Sequence, residues 1–278
     1  MAAKLLPATA LAFTALVASL ALPAPPAQAE DTVRNPLTES EMWSIMRENV
    51  VGTAQIADGS ALFKVDAPYR ANDAATVPIR IRQTDPAAVI REATVVIDEN
   101  PAPVAATLGF SKAMAPLDFE MRVRVNQYSN VRVIAETEAG LSMTGRFVKA
   151  SGGCSAPASR DPEVALASMG EMKMRLFPKE AQVSTPRREA QIMVRHPNYS
   201  GLQRDQVSQL FIPAHFIDHM EVWQGEELLF TMDGGISISE NPVFRFTYTD
   251  NGATALRVVA TDTEGNSFEQ VLPKAAES

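Results

Sequence analysis

Cysteine occurs once in the 278 residues, at Cys154. That scarcity excludes an intramolecular disulfide, a Cys-x-x-Cys redox pair and a haem attachment motif. Histidine occurs three times, at His196, His215 and His219. His215 and His219 are four apart, a spacing that on a helix turns two imidazoles toward one metal. The segment reads as a strand, however, and no third ligand is evident, which leaves ordinary surface or turn roles. There is no glycine-rich phosphate loop and no Gly-x-Ser-x-Gly elbow. The 33 acidic residues show no pairing that differs from solvated faces, so a carboxylate-dyad hydrolase has no support. Basic and aromatic residues are not clustered as in a nucleic-acid binder. These absences give a non-enzyme that needs no metal and no cofactor.

The chain does carry an export signature. It opens Met-Ala-Ala-Lys4, continues with an apolar run from Leu5 to Leu22, and closes on prolines and the small residues Ala27 and Ala29. This predicts a signal peptide over 1–29, cleaved before Glu30, and a periplasmic product. No later segment approaches the roughly 18 apolar residues of a membrane span, so no membrane insertion is expected once the leader is removed. Loss of the leader, whose only charge is Lys4, takes the net charge from −8 to about −9. An acidic balance favours solubility and disfavours anionic partners.

Periodicity divides the remainder. Thr38-Glu39-Ser40-Glu41 reads as a capping box in which Thr38 caps and Glu41 reaches back, and apolar residues follow at helical spacing. One helix is predicted at 39–50, the only substantial one. The period then changes to two. Val77-Ile79-Ile81 alternate with arginines, and Phe119-Met121-Val123-Val125 alternate with Glu120, Arg122 and Arg124. Further strand patterns occur at 90–98, 104–110, 131–135 and 141–147. They resume at 172–177, 189–195, 216–223, 228–232, 244–248, 256–260 and 267–272. Short strands with turn signals every 8–12 residues define an antiparallel sandwich. The fold class is therefore all-β: two Ig-like sandwich domains, at 30–150 and 171–278, joined by a connector at 151–170 with a short helix near 162–169.

The connector holds the one thiol. Ser151-Gly152-Gly153-Cys154-Ser155-Ala156-Pro157 is small and polar, with nothing to bury a sulfur. Gly152 and Gly153 would let the backbone swing as a flexible arm and let a bulky partner approach. Cys154 is thus expected to be exposed, with Lys149, Arg146 and Arg160 as the cations near it in sequence. An ordinary thiol titrates near ~8.5, so such a cysteine suits a carrier activated by its clients better than a self-sufficient catalyst. Composition alone leaves a functional thiol and a bystander equally open.

Two ordered sets of short motifs add a family resemblance. Phe63 to Cys154 resembles SoxY, through Asn72–Arg82, the Glu99-Asn100-Pro101-Ala102-Pro103-Val104-Ala105 run, Arg122-Val123-Arg124 and Ser151-Gly152-Gly153-Cys154. Arg195 to about Leu272 resembles SoxZ, through His196-Pro197, Gly201–Asp205, Ile236–Pro242, Phe244, Phe246 and Asp250-Asn251-Gly252. The order and coverage are similar to fused SoxYZ-like carriers associated with quinoprotein dehydrogenases. The resemblance implies that Cys154 is a covalent attachment point for oxidised sulfur or related cargo. It also implies that the two domains pair within the chain, and that periplasmic client enzymes are the partners, either sulfur-oxidising enzymes or a quinoprotein dehydrogenase. The alternative is an interaction or assembly protein for such a dehydrogenase, with the cysteine incidental. Two features depart from SoxY, where a Gly-Gly-Cys-Gly-Gly arm ends the polypeptide. Here Ser-Ala-Pro follows the cysteine, and the cysteine is internal.

Overall fold

Alternating residues become strands almost wherever the sequence places them. In the computed structural model, which describes residues 35–158, 162–177 and 186–274, the first half contributes eight strands. These are β1 (Ile56–Asp58), β2 (Phe63–Asp66), β3 (Val77–Gln83), β4 (Glu92–Ile97), β5 (Val104–Phe110), β6 (Asp118–Val123), β7 (Ser129–Thr137) and β8 (Gly140–Val148). The second half contributes β9 (Met172–Leu176), β10 (Arg187–Val194), β11 (Ile217–Gln224), β12 (Glu227–Gly234), β13 (Val243–Thr249), β14 (Ala255–Asp262) and β15 (Ser267–Pro273). Helices α1 (Glu41–Val51) and α2 (Pro162–Ala167) complete the described elements of more than one turn. The leader expected at 1–29 lies outside the described residues. Among those described, no helix is long and apolar enough to cross a membrane.

The fold is all-β and Ig-like, with strands in two sheets, but the sheets do not stop at the boundary between the halves. One sheet runs β1-β8-β7-β4-β5-β12-β11-β14-β15 and the other β2-β3-β6-β13-β10-β9. Each half supplies strands to both sheets, so each is a sandwich in its own right. The halves are then joined edge to edge, twice. In the first sheet Ala106–Phe110 of β5 pairs antiparallel with Phe230–Gly234 of β12. In the second, Phe119–Met121 of β6 pairs antiparallel with Phe244–Phe246 of β13. The described residues accordingly fall within one compact unit. Strands β1 and β2 were not anticipated. Three and four residues are too short to show a period of two, and β1 runs parallel to β8.

The seam is filled by aromatic side chains. Phe119 on β6 meets Phe110 at 5.4 Å and, across the seam, Phe230 at 5.1 Å edge to face and Phe246 at 6.4 Å. Phe230 and Phe246 meet at 5.0 Å. Phe119, Phe230, Phe244 and Phe246 are all fully buried. Each such side chain contributes ~1.5–3 kcal/mol of burial, and each ring pair ~0.5–1.5 kcal/mol more. A polar clamp reinforces the rings: the Arg187 guanidinium on β10 donates to the carbonyls of Ala113 (3.1 Å), Ala115 (2.7 Å) and Pro116 (2.8 Å).

Helix α1 packs Trp43, Met46, Val50 and Val51 on Val96, Ile134, Leu141 and Met143. Its cap corrects the expected box. Ser40 caps, accepting from the Trp43 amide at 3.1 Å, while Thr38 is drawn to Asn130 (2.9 Å from its amide). Asn130 belongs to a buried group with Asp98 and Arg132, whose ion pair at 2.8 Å holds the guanidinium under the Trp43 ring. The polar residues of the smaller sheet pair on its outer face, as in Arg80–Asp118 and Arg245–Glu189. They stay in water while Val77, Ile79 and Ile81 go into the core.

Because Phe119 belongs to one half and three of its four ring partners to the other, Phe119→Ala should destabilise both halves together, by ~3–5 kcal/mol. Calorimetry should show a single transition displaced to lower temperature. Two resolved transitions, only one of them displaced, would contradict the continuous core.

Candidate functional site

Cys154 is placed where β8 ends and the chain turns back over the first half. Lys149 still pairs with the segment before β3, its amide donating to the Tyr69 carbonyl at 2.7 Å and its carbonyl accepting from Ala71 at 3.2 Å. The Gly152 amide then donates to Asn126 (2.8 Å) and the Gly153 amide to Val125 (3.1 Å), and Ser155 closes a turn onto the Gly152 carbonyl (3.2 Å). The second half covers the turn. Ser200 Oγ donates to the Cys154 carbonyl, and Gln203 Nε2 donates to the Ala156 carbonyl at 2.9 Å.

This corrects the expectation of a flexible, exposed arm. Cys154 is fully buried. The glycines serve fit rather than freedom. Gly152 has φ +79°, where an L side chain is strained. Gly153 lies so close to its neighbours that an added Cβ would fall 2.1 Å from the Ala74 oxygen and 2.7 Å from the Val125 oxygen. The turn has few apolar residues of its own; it is held between Ala74, which lies against Gly153, and Ser200 and Gln203, which bond the Cys154 and Ala156 carbonyls.

The charge nearest Cys154 also differs from expectation. The sequence neighbours are Lys149, Arg146 and Arg160, of which Arg160 lies outside the described residues; among the described residues the cation that acts on the thiol is Arg124. Strand alternation puts Arg124 on the outward face with Glu120 and Arg122. Strand β6 ends at Val123, however, and the chains at Gly153 and Asn198 roof over the next residue. Arg124 is 1% exposed. Its Nη1 donates to the Gly153 carbonyl at 3.2 Å and its Nη2 to the Asn198 carbonyl at 3.3 Å, while its Nε has no partner. Burial pushes the Cys154 thiol up to about 11 and Arg124 opposes that rise without cancelling it. In this closed form the sulfur is a neutral, poorly nucleophilic thiol.

Arg124, Ser200 and Gln203 were not assigned to the cysteine site from the sequence, because 30 to 49 residues separate them from Cys154 and ordinary alternation disguised Arg124 as a surface residue. The Gly201–Asp205 motif was the available signal, since it brackets Gln203. The same segment, with Ser155 and Pro157, lines a surface depression of about 270 Å³ beside the turn.

The histidines group differently from the sequence spacing. His219 stays half exposed on β11, bonded to Asp233 at 2.7 Å. His215 and His196 are buried together with Asp262, which corrects the surface reading of His215. Both Nε2 atoms address the same Asp262 Oδ2, at 2.7 Å from His215 and 3.3 Å from His196. The three groups lie within 4.8 Å of one another, a separation a metal could bridge. Proton placement speaks against that use. The Asn198 amide donates to His196 Nδ1 at 3.0 Å, so the proton of a neutral ring sits on Nε2, the atom a metal would need. Asp262 Oδ1 also accepts from the Glu264 and Asn266 amides, at 3.0 and 2.9 Å. The group fastens loop 196–200 to the β14–β15 turn.

Fold and site define a class: an Ig-like double sandwich in which the second half closes over a single cysteine turn of the first. Residues 47–154 match the family described as sulfur oxidation protein SoxY, and residues 174–273 match sulphur oxidation protein SoxZ. One polypeptide thus carries a segment that matches SoxY followed by a segment that matches SoxZ. Among solved structures it is similar to the sulfur carrier protein SoxY from Chlorobium limicola f thiosulfatophilum, with 22% identity over 39% of this chain and 94% of that one, at a TM-score of 0.33. No curated protein matches.

Two outcomes are expected here. Gly153→Ala should lower the melting temperature and speed alkylation of Cys154, because backbone atoms block the added methyl; an unchanged melting temperature would mean that the turn yields freely. The second concerns pH. Burial lowers His196 from its ordinary 6.5, against the opposing bond to Asp262. A depressed value means that the unfolded chain takes up the proton more readily. The stabilising contribution is therefore present above about 6.5 and is lost as pH falls through the lower folded value. Urea midpoints should drop from pH 7 to pH 5, and His196→Gln should flatten that drop. An identical slope in the variant would place the acid sensitivity elsewhere.

Proposed function

We propose that the chain is a periplasmic, non-catalytic carrier in sulfur oxidation that takes its cargo as a covalent adduct on the Cys154 sulfur and presents it to partner enzymes. One observation carries this reading: the SoxY match ends at residue 154, on the only cysteine of the chain, and a SoxZ domain follows in the same polypeptide. A SoxY domain supplied with its SoxZ partner in fixed proportion fits a self-contained carrier. The closed turn then has a role as the resting form. Burial protects a lone thiol that the expected compartment would otherwise oxidise or cap. Loading requires the turn to lift away, and what holds it is mostly hydrogen bonds, each worth ~0.5–1.5 kcal/mol, rather than packed rings. Local opening of that size falls below global unfolding.

A second reading has its own support. Val207, Leu210 and Phe211 are exposed on the segment bordering the depression beside the turn, and the thiol is inaccessible. Both features suit an interaction protein for a quinoprotein dehydrogenase with an incidental cysteine.

Intact-mass spectrometry of protein purified without reductant from its own host separates the two. The carrier shows mass additions confined to Cys154 and absent in Cys154→Ser, which also abolishes its function. Alkylation kinetics give an independent measure. The native thiol should react about 10²–10⁴ times more slowly than in urea, and Ser200→Ala should recover about tenfold by removing one bond to the turn. Reaction only at the rate of global unfolding, unaltered by Ser200→Ala, would rule out the carrier.

A further inference from the structure

Arg124 is a buried cation without a buried anion. Its guanidinium is 1% exposed and meets two backbone carbonyls, and its Nε has no hydrogen-bond partner. Among the described residues no carboxylate bonds to it; Glu240 and Asp73 act on it only through space, and less than Cys154 does. The contrast with the other buried arginine of the first half is direct. Arg132 meets both oxygens of Asp98, at 2.8 and 2.9 Å. A charge taken out of water is costly unless an opposite charge meets it. Arginine cannot escape by losing its proton. The carbonyl dipoles of Gly153 and Asn198 offset part of that cost and leave the positive charge uncancelled. Those two contacts also aim the guanidinium: one partner is the residue before Cys154, and the other belongs to the SoxZ-side loop that covers it.

We infer that Arg124 is a built-in counter-ion for a negatively charged group carried on the Cys154 sulfur, so that the closed turn accepts an anionic adduct in preference to a neutral one. This rests on the carrier reading for its biological meaning, but it concerns a preference of the pocket that is testable without any natural cargo. Arg124 is here a specificity-determining residue that selects by charge and forms no bond to sulfur. An anion on the sulfur would complete the ion pair that the neutral thiol leaves open, and would strengthen the attachment of the turn to both halves. A neutral adduct of the same size would add bulk and no charge.

Two reagents of nearly equal size isolate the charge. Unfolded full-length protein is alkylated at Cys154 with iodoacetate or with iodoacetamide, iodide leaving in each case as the S–C bond forms and the thiol proton passing to buffer. The products, S-carboxymethyl and S-carbamidomethyl, differ in one charge. Both are refolded, and their melting temperatures are compared at pH 7. The anionic form should melt higher than the neutral form by about 3 °C or more, a shift readable for a chain of this size. In Arg124→Gln the difference should vanish or reverse, and in Arg124→Lys it should be partly kept. If Arg124→Gln fails to refold, raising salt to ~1 M in the wild type should leave the difference largely intact, because a buried pair is weakly screened. Equal melting temperatures in the wild type, or a more stable neutral form, overturn the inference. Neither result depends on whether a native adduct is found on Cys154, so the charge preference and the carrier reading fail separately.

Discussion

The structure depends on the seam where Phe119 meets Phe230 and Phe246. Without these rings the strand pairs β5–β12 and β6–β13 would be two solvent-exposed sheet edges laid side by side, with hydrogen bonds that water can replace at little net cost. With them, the two sheets close over a dry core common to both sequence halves, and the Cys154 turn acquires a fixed roof. Every contact that covers the sulfur from the second half, through Asn198, Ser200 and Gln203, presupposes that registration. So does the burial of Arg124, whose side chain would otherwise project into solvent from the end of β6.

The polar groups follow a division of labour by depth. Outer-face pairs such as Arg80–Asp118 and Arg245–Glu189 sit in water and contribute little to stability. The enclosed groups set geometry instead. Asp98 with Arg132 and Asn130 fixes the approach to α1, Asp262 with two imidazoles fixes the 196–200 loop, and Asn100 bonds the Arg124 carbonyl and the Ser237 hydroxyl at 2.7 and 2.9 Å across the seam. Two of these three groups hold the pieces that meet at Cys154. The thiol, raised by burial, is neutral and poorly nucleophilic in this closed form: a sulfur that attacks readily would need a lowered value.

Much of this was legible in the sequence, for a definite reason. Period-two alternation is a direct imprint of a half-buried sheet, so residues 77–81, 119–125 and 244–248 announced themselves without any tertiary knowledge. The sheet continuity was hidden, because Phe119 and Phe246 look like ordinary core positions of separate domains and nothing in a one-dimensional pattern says that two edges meet. The cysteine was found and its surroundings misjudged for the same reason. Small polar neighbours and two glycines describe a mobile arm as well as a tightly fitted turn, and only the oxygens of Ala74 and Val125 beside Gly153 decide between them. The histidines show it once more: spacing suggested His215 with His219, whereas folding joined His215 to His196 and Asp262.

A turn anchored on both sides has a geometric ceiling. If the chain lifts between Ala150, still fastened beside Lys149, and α2 at Pro162, 11 residues are released. Fully extended they span about 38 Å, but Cys154 is only the fourth residue after Ala150, so its Cα travels at most about 14 Å from that anchor. A cysteine at the end of a free tail of 11 residues would reach about 38 Å. Any enzyme that meets this sulfur therefore needs a shallow, open entrance wide enough for a doubled strand, and a deep, narrow tunnel suited to a single-stranded tail would shut it out.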